Sequence, residues 1–233
     1  MPRWGMVIDL DRCTACQACT IACRNENNIP FAGPDHASKG RAIFWNQVLP
    51  FKEEGEQGYS RIRFTPLPCM HCDRPSCIKV CPVRATYKSE EGIVFQIFAR
   101  CIGCRLCMCA CPYSRRFYNW SKGHWPEIMQ SAFNPDVSLR PLGVVEKCTF
   151  CVHRWQKARE KARAEDRPIR EGEYVTACVQ TCPAKARYFG DLDDPESMVS
   201  KLARSRRAFR LLEELGTHPK VIYLGEGEWR EDI

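Results

Sequence analysis

Apolar residues in this chain come in runs no longer than a strand, separated by polar and cysteine-rich stretches. Met6 to Leu10 (MVIDL) reads as a strand, and Gly92 to Phe98 (GIVFQIF) as the second arm of a hairpin whose turn is Ser89-Glu90-Glu91-Gly92. Tyr188-Phe189 is a candidate partner for the N-terminal strand. Two stretches read as helices outside the cysteine-rich loops. Trp155, Ala158 and Ala162 recur at helical spacing among charges and predict a solvated helix over 152–165. Asp194 as N-cap, Pro195 in the first helical position and Gly216 at the end predict another over 195–215. Its arginines Arg204, Arg206, Arg207 and Arg210 read as a solvated face, with contact to an acidic partner as the alternative. Segments 30–60 and 112–145 read as loops or insertions. No run of 18 apolar residues exists, so no transmembrane helix is expected.

Cysteine changes the picture. The chain has 17 cysteines in 233 residues, and its hydrophobic fraction of 44% counts them, so the aliphatic core is modest. Sixteen fall into four groups: Cys13, Cys16, Cys19 and Cys23; Cys69, Cys72, Cys77 and Cys81; Cys101, Cys104, Cys107 and Cys111; Cys148, Cys151, Cys178 and Cys182. Groups one and three have the spacing C-x2-C-x2-C-x3-C, and group three ends in Pro112. Group two is C-x2-C-x4-C-x3-C-P. Group four is C-x2-C-x26-C-x3-C-P, with the charged helix inside its insertion. Group one alone lacks the proline, having Arg24 after Cys23.

Disulfide frameworks belong to small secreted chains with an even cysteine count. This chain is long and its count odd, and residues 1–12 carry neither an apolar signal core nor twin arginines. Zinc is the stronger rival, because pairs such as Cys69/Cys72 suit a zinc knuckle. Zinc does not explain three thiols at short steps followed by x3-C-P. That run is the ferredoxin signature, in which three cysteines hold one [4Fe–4S] cluster and the fourth reaches a neighbouring one.

The pairing follows from that logic. Nineteen residues separate Cys81 from Cys101, enough for a hairpin between cluster loops, so groups two and three form one two-cluster unit and groups one and four the other. Cluster A takes Cys13, Cys16, Cys19 and Cys182. Cluster B takes Cys148, Cys151, Cys178 and Cys23. Cluster C takes Cys69, Cys72, Cys77 and Cys111. Cluster D takes Cys101, Cys104, Cys107 and Cys81. The expected fold is α+β: unit 1 (1–30 and 140–195) with unit 2 (61–125) inserted in it, a loop insertion (31–60), and a C-terminal helix and tail (195–233). With every cluster given four thiols, His71 and His153 are supporting or surface residues, and Cys109 is a small buried hydrophobe.

The charge of +7 raises the question of nucleic acid. Sixteen thiolates and four oxidised cores bring the loaded protein to about −1, so the basic residues compensate anionic clusters. No basic segment forms a nucleic-acid motif, and no nucleotide-binding glycine loop occurs. Fully ligated irons leave no open site for a substrate, which argues against a self-standing enzyme, and nothing resembles the output of a redox sensor.

The strings WGMVIDLDRCTACQAC, PCMHCDRPSC, CIGCRLCMCACPY and EKCTFCVHR, in this nested order, resemble the four-cluster ferredoxin subunit of membrane-bound molybdopterin oxidoreductases of the dimethyl sulfoxide reductase superfamily. The polysulfide, thiosulfate, sulfite, arsenate and quinone reductase types are nearest. The resemblance covers residues 3–195 and weakens into the tail. It implies a non-catalytic electron relay between a molybdopterin-containing catalytic subunit, facing cluster A, and an integral membrane quinone-interacting subunit, facing cluster D. Some relatives lack one group-three cysteine and hold a [3Fe–4S] centre; all four are present here. Hydrogenase or formate dehydrogenase complexes are the alternative, and the ending EGEWREDI, without the membrane helix some of those carry, counts against them. Membrane association is expected through partners, the periplasmic face by co-export with the catalytic subunit being favoured over the cytoplasmic face.

Overall fold

The computed structural model describes residues 2–54 and 60–225, so the ending EGEWREDI lies outside the described residues. In chain order the elements are β1 (Trp4–Asp9), α1 (Ala18–Glu26), α2 (Pro34–Ser38), β2 (Gln47–Glu54) and β3 (Ser60–Leu67). There follow α3 (Ser76–Lys79), β4 (Thr86–Lys88), β5 (Val94–Gln96), α4 (Leu106–Cys109), β6 (Phe117–Tyr118), α5 (Glu127–Gln130) and β7 (Val145–Glu146). The last are α6 (Val152–Ala164), α7 (Ala177–Gln180), β8 (Arg187–Asp191), α8 (Met198–Ala203), β9 (Ala208–Phe209) and β10 (Val221–Leu224). The mixture of short helices and small sheets is α+β.

The largest sheet has the order β8-β1-β10-β9. β1 pairs antiparallel with β8, placing Met6 opposite Phe189 and Val7 opposite Tyr188, as the apolar pattern predicts. Its other neighbour, β10, runs parallel to it, with Met6 opposite Val221. Covered on both faces, β1 and β10 are buried at every position, which is why they read as continuous apolar runs rather than alternating ones. β4 and β5 form the expected hairpin around Ser89–Gly92, and Gly92 takes the positive φ (79°) its turn demands.

Two expectations fail. The helix over 195–215 does not form; only Met198–Ala203 is α-helical, with a single 3-10 turn at Glu213–Leu215. Its cap is Ser197, whose hydroxyl accepts from Ser200 N at 3.1 Å, while Asp194 caps nothing and bonds Glu196 N. The chain turns at Ser205 because Arg207 is held elsewhere: its guanidinium donates to Asp9 at 2.9 Å and Asp11 at 2.6 Å, and to the Gly225 carbonyl. That anchor lays 208–209 down as a strand on β10. Arg207 and Arg210 therefore bind this chain's own groups, and only Arg204 and Arg206 keep the exposed position expected of all four.

Segment 30–60 is not merely a loop. Its second half supplies β2, which pairs with β3 in a long hairpin, and Val48, Leu67 and Trp45 join the main core beside Met6 and Ile8. Segment 112–145 is mostly irregular, with β6 and α5 as its regular pieces.

The core is built partly of cysteine. Cys19, Cys23, Cys148 and Cys178 belong to the main buried cluster with Met70, Phe150, Val221 and Tyr223. A smaller cluster joins Cys77 and Cys107 to Val94 and Val145.

Candidate iron–sulfur centres

Local backbone geometry explains the motif spacing. In group one, Ala15 and Gln17 have positive φ (56° and 62°); in group three, Gly103 and Arg105 do (70° and 64°). These alternating left-handed residues curl the loop so that three cysteines face one point. At Gly103 a Cβ would lie 2.2 Å from the Gly143 carbonyl oxygen, so glycine is required there, whereas Ala15 is accommodated.

The C-P steps repeat a second device. The third residue after Cys81, Cys111 and Cys182 is Arg84, Ser114 or Lys185, each with φ near +50° (51°, 52° and 47°). The next amide then points back at the cysteine: Ala85 N donates to Cys81 Sγ at 3.2 Å and Ala186 N to Cys182 Sγ at 3.3 Å. Each helix before such a step is a single turn, α3, α4 or α7, because proline cannot continue it. Group one has no proline, and α1 runs on past Cys23 to Glu26.

Four sets of thiols come together. Cys13, Cys16, Cys19 and Cys182 line one cavity beside Val48 and Pro66 of the β2–β3 hairpin. Cys81, Cys101, Cys104 and Cys107 line another. Buried Cys23 lies within electrostatic reach of Cys148, Cys151 and Cys178, and half-buried Cys72 within reach of Cys69, Cys77 and Cys111. Neighbouring sets feel one another: Cys148 lies within electrostatic reach of Cys69, and Cys107 of Cys77. None of the seventeen cysteines is paired in a disulfide.

These sites fit iron–sulfur cubes. Sets A and D each surround a space, and donors already point at the sulfurs: besides the amides above, Phe150 N reaches Cys148 Sγ and Val145 N reaches Cys101 Sγ, both at 3.4 Å. Burial pushes the Cys72 and Cys148 thiols up to about 12, so iron must displace protons to bind there.

His71 does not touch a cysteine sulfur. It is fully buried, its Nδ1 accepts from Val94 N at 3.1 Å, and its ring stacks on Phe150 with centroids 3.7 Å apart. Since His71 precedes Cys72 as Phe150 precedes Cys151, the stack joins one loop from each unit. His153 is also buried and meets Glu26 Oε1 at 2.6 Å, beside Arg154, which clamps the same carboxylate. Cys109 is exposed, against expectation: on the single turn α4 it faces outward while Cys107 faces in. Sequence reasoning missed the buried cations Arg116, Arg187, Lys147 and Lys220. Their one signal was the surplus of basic residues in a cysteine-rich chain.

Fold and site together define an electron-transfer protein of the dicluster ferredoxin class. Two families described as 4Fe-4S dicluster domains match it, over residues 12–85 and 60–130. The chain is 51% identical to the iron-sulfur cluster-binding subunit of menaquinone reductase from Nitratidesulfovibrio vulgaris, over 97% of this chain and 90% of that one. It is 40% identical to a putative dimethyl sulfoxide reductase iron-sulfur subunit from Halobacterium salinarum (96% and 79%), and 34% identical to one of the polysulfide reductase chains of Wolinella succinogenes (94% and 92%). The chain belongs to this family of iron–sulfur electron-transfer subunits of respiratory oxidoreductases, and it carries four [4Fe–4S] clusters. These relatives favour the reductase reading over hydrogenase or formate dehydrogenase. No helix among the described residues is long and apolar enough to cross a membrane.

Proposed function

We propose that the chain relays electrons in the order A–B–C–D between a molybdopterin-containing catalytic subunit at cluster A and a quinone-interacting membrane subunit at cluster D. The two family matches run consecutively and overlap over 60–85, whereas the nested reading pairs groups one with four and two with three. The observation that carries the nested reading is the shared cavity of Cys13, Cys16 and Cys19 with Cys182, residues 163 or more positions apart in sequence. Unit 1 is then 1–30 with 140–195, and unit 2 is 61–125.

The electrostatic proximity of set B to set C, and of set C to set D, supports a linear order. Exposure supports it too: Cys16 in set A and Cys104 in set D are exposed, while all four thiols of set B are buried. The 51% identity to a menaquinone reductase subunit supports quinone as the redox partner of the complex. In this reading the chain is attached to the membrane through its partners, on the periplasmic face by co-export with the catalytic subunit.

The test is paramagnetic resonance of cysteine variants in the intact complex, with dye-linked and quinone-linked turnover. Cys13→Ser and Cys182→Ser should perturb one centre, and Cys81→Ser and Cys104→Ser a different one. Both pairs should stop quinone-linked turnover, and only the second should spare activity with a soluble dye at the catalytic side. The nested pairing fails if Cys182→Ser perturbs the same centre as Cys101→Ser.

A further inference from the structure

Each ferredoxin unit buries one arginine at the same place in its motif. Arg116 and Arg187 are each the fifth residue after the last cysteine of a C-P run, counted from Cys111 and Cys182. Both are 4% exposed. The left-handed residue at the third position and the inward-turned amide at the fourth direct the fifth side chain between the two thiol sets of its unit. In group two the corresponding residue is Thr86, whose hydroxyl accepts from Arg116 Nη1 at 3.2 Å.

Each guanidinium meets both sets of its unit. Arg116 Nη2 donates to Cys77 Sγ of set C at 3.1 Å, and the same guanidinium lies within electrostatic reach of Cys107 of set D. Arg187 lines the set A cavity and lies within electrostatic reach of Cys178 of set B. Their other partners are neutral: the Gln96 side-chain oxygen (3.1 Å) for Arg116, and Asn46 Oδ1 (2.6 Å) and Met6 Sδ (3.8 Å) for Arg187. An arginine cannot shed its proton, and a buried cation without a counter-charge is costly. The thiolates of the loaded clusters are the counter-charge within reach.

We propose that Arg116 and Arg187 set the potentials of the relay, each fixing one positive charge between the two clusters of its unit and raising the reduction potential of both. An added electron makes a cluster more negative, and a fixed nearby cation favours that reduced form. The same charge attracts an added electron on either cluster, so it shifts both potentials of a unit in the same direction and offsets part of the cost of placing electrons on neighbouring clusters. Arg116 acts on C and D, Arg187 on A and B. This rests on the cluster pairing proposed above.

The test is a potentiometric titration of the intact complex followed by paramagnetic resonance, with iron counted in every variant. Arg116→Gln should lower the midpoints of C and D together, by at least a tenfold change in the oxidised-to-reduced ratio (about 59 mV for one electron), and leave A and B in place. Arg187→Gln should do the reverse. Arg116→Lys and Arg187→Lys keep the charge and should restore most of each shift. Unchanged midpoints in a fully loaded glutamine variant would overturn the proposal. So would a lysine variant that shifts as far as the glutamine one. Should a glutamine variant fail to hold its iron, the lysine variant decides: full iron with near-native potentials supports a charge effect, and equal loss of iron refutes it. A wrong pairing would look different, since Arg116→Gln would then move one centre from each unit.

Discussion

Set B, in the middle of the proposed order, and sets A and D, at its ends, use the same cysteine ligands in opposite ways. In set B all four thiols are buried, and Phe150, inside its loop, is 1% exposed. Set C falls between, with one buried thiol and three half-buried, and sets A and D each have one buried, two half-buried and one exposed. Apolar side chains stand in the open beside them: Ile21 is 56% exposed on α1, and Ile102 is 65% exposed within the set D loop. A buried centre can serve as core and as relay at once. An end centre must let electrons in or out, so it stays near the surface and contributes less to the fold.

The largest expected effect concerns the whole chain. Removing iron leaves buried thiols and buried arginines without their partners, and metal-held folds of this kind collapse when the metal leaves. Calorimetry should show no cooperative transition in the iron-free chain; an unchanged melting transition would refute the idea that clusters are part of the core. Next comes the contrast between sets. Cys151→Ser, in the buried set, should prevent accumulation of folded subunit. Cys104→Ser, at the exposed end, should yield a folded subunit with about twelve or more iron per chain, read by metal analysis. Equal behaviour of the two would erase the distinction between middle and ends.

Packing should follow the same division on a smaller scale. Phe150→Ala removes a ring stacked on His71 and should cost about 3–5 kcal/mol in denaturant melts of the loaded protein. Phe64→Ala, 41% exposed on the β2–β3 hairpin, should cost under about 0.5 kcal/mol.

Glu26 offers a charge counterpart. Burial alone would raise its pKa, but the bonds from Arg154 and His153 outweigh that and hold the carboxyl below its ordinary value. Glu26→Gln should therefore cost about 1–3 kcal/mol at neutral pH. A depressed carboxyl contributes its stability above its unfolded pKa, about 4.3, and loses it as pH falls through the lower folded value. The gap between wild type and variant should hold steady above about pH 5 and close in more acid solution. The smallest effect belongs to Cys109→Ser, which should keep all sixteen iron and shift stability by less than about 0.5 kcal/mol.

Much of the site was legible because cluster ligation is local. Three cysteines at x2 steps curl around a common point whatever the rest of the chain does, and the fourth at x3 is turned towards a neighbouring one. The insertion between Cys151 and Cys178 did not hide group four, because Cys182-Pro183 repeats the ending of groups two and three. Local signals also placed β1, the β4–β5 hairpin and α6. They misled over 195–215, where cap, proline and glycine were all present and yet the helix stops at Ala203. Arg207 reaches across to Asp9 and Asp11, some two hundred positions earlier, and no window of sequence contains that bond. The run Val221–Leu224 was the missed clue: four apolar residues, mostly β-branched or aromatic, with strand chemistry and no visible partner.

Sequence alone determined the number of clusters, the kind of ligand and the class of protein, because thiol identity and spacing fix coordination chemistry without reference to distant contacts. Only the tertiary structure decided which cysteines are buried, that the last described strand lies beside the first, that Cys109 points outward, and that Arg116 and Arg187 stand between neighbouring thiol sets. Those facts depend on where segments far apart in the chain meet, and burial and electrostatic potential are properties of that meeting rather than of any one segment.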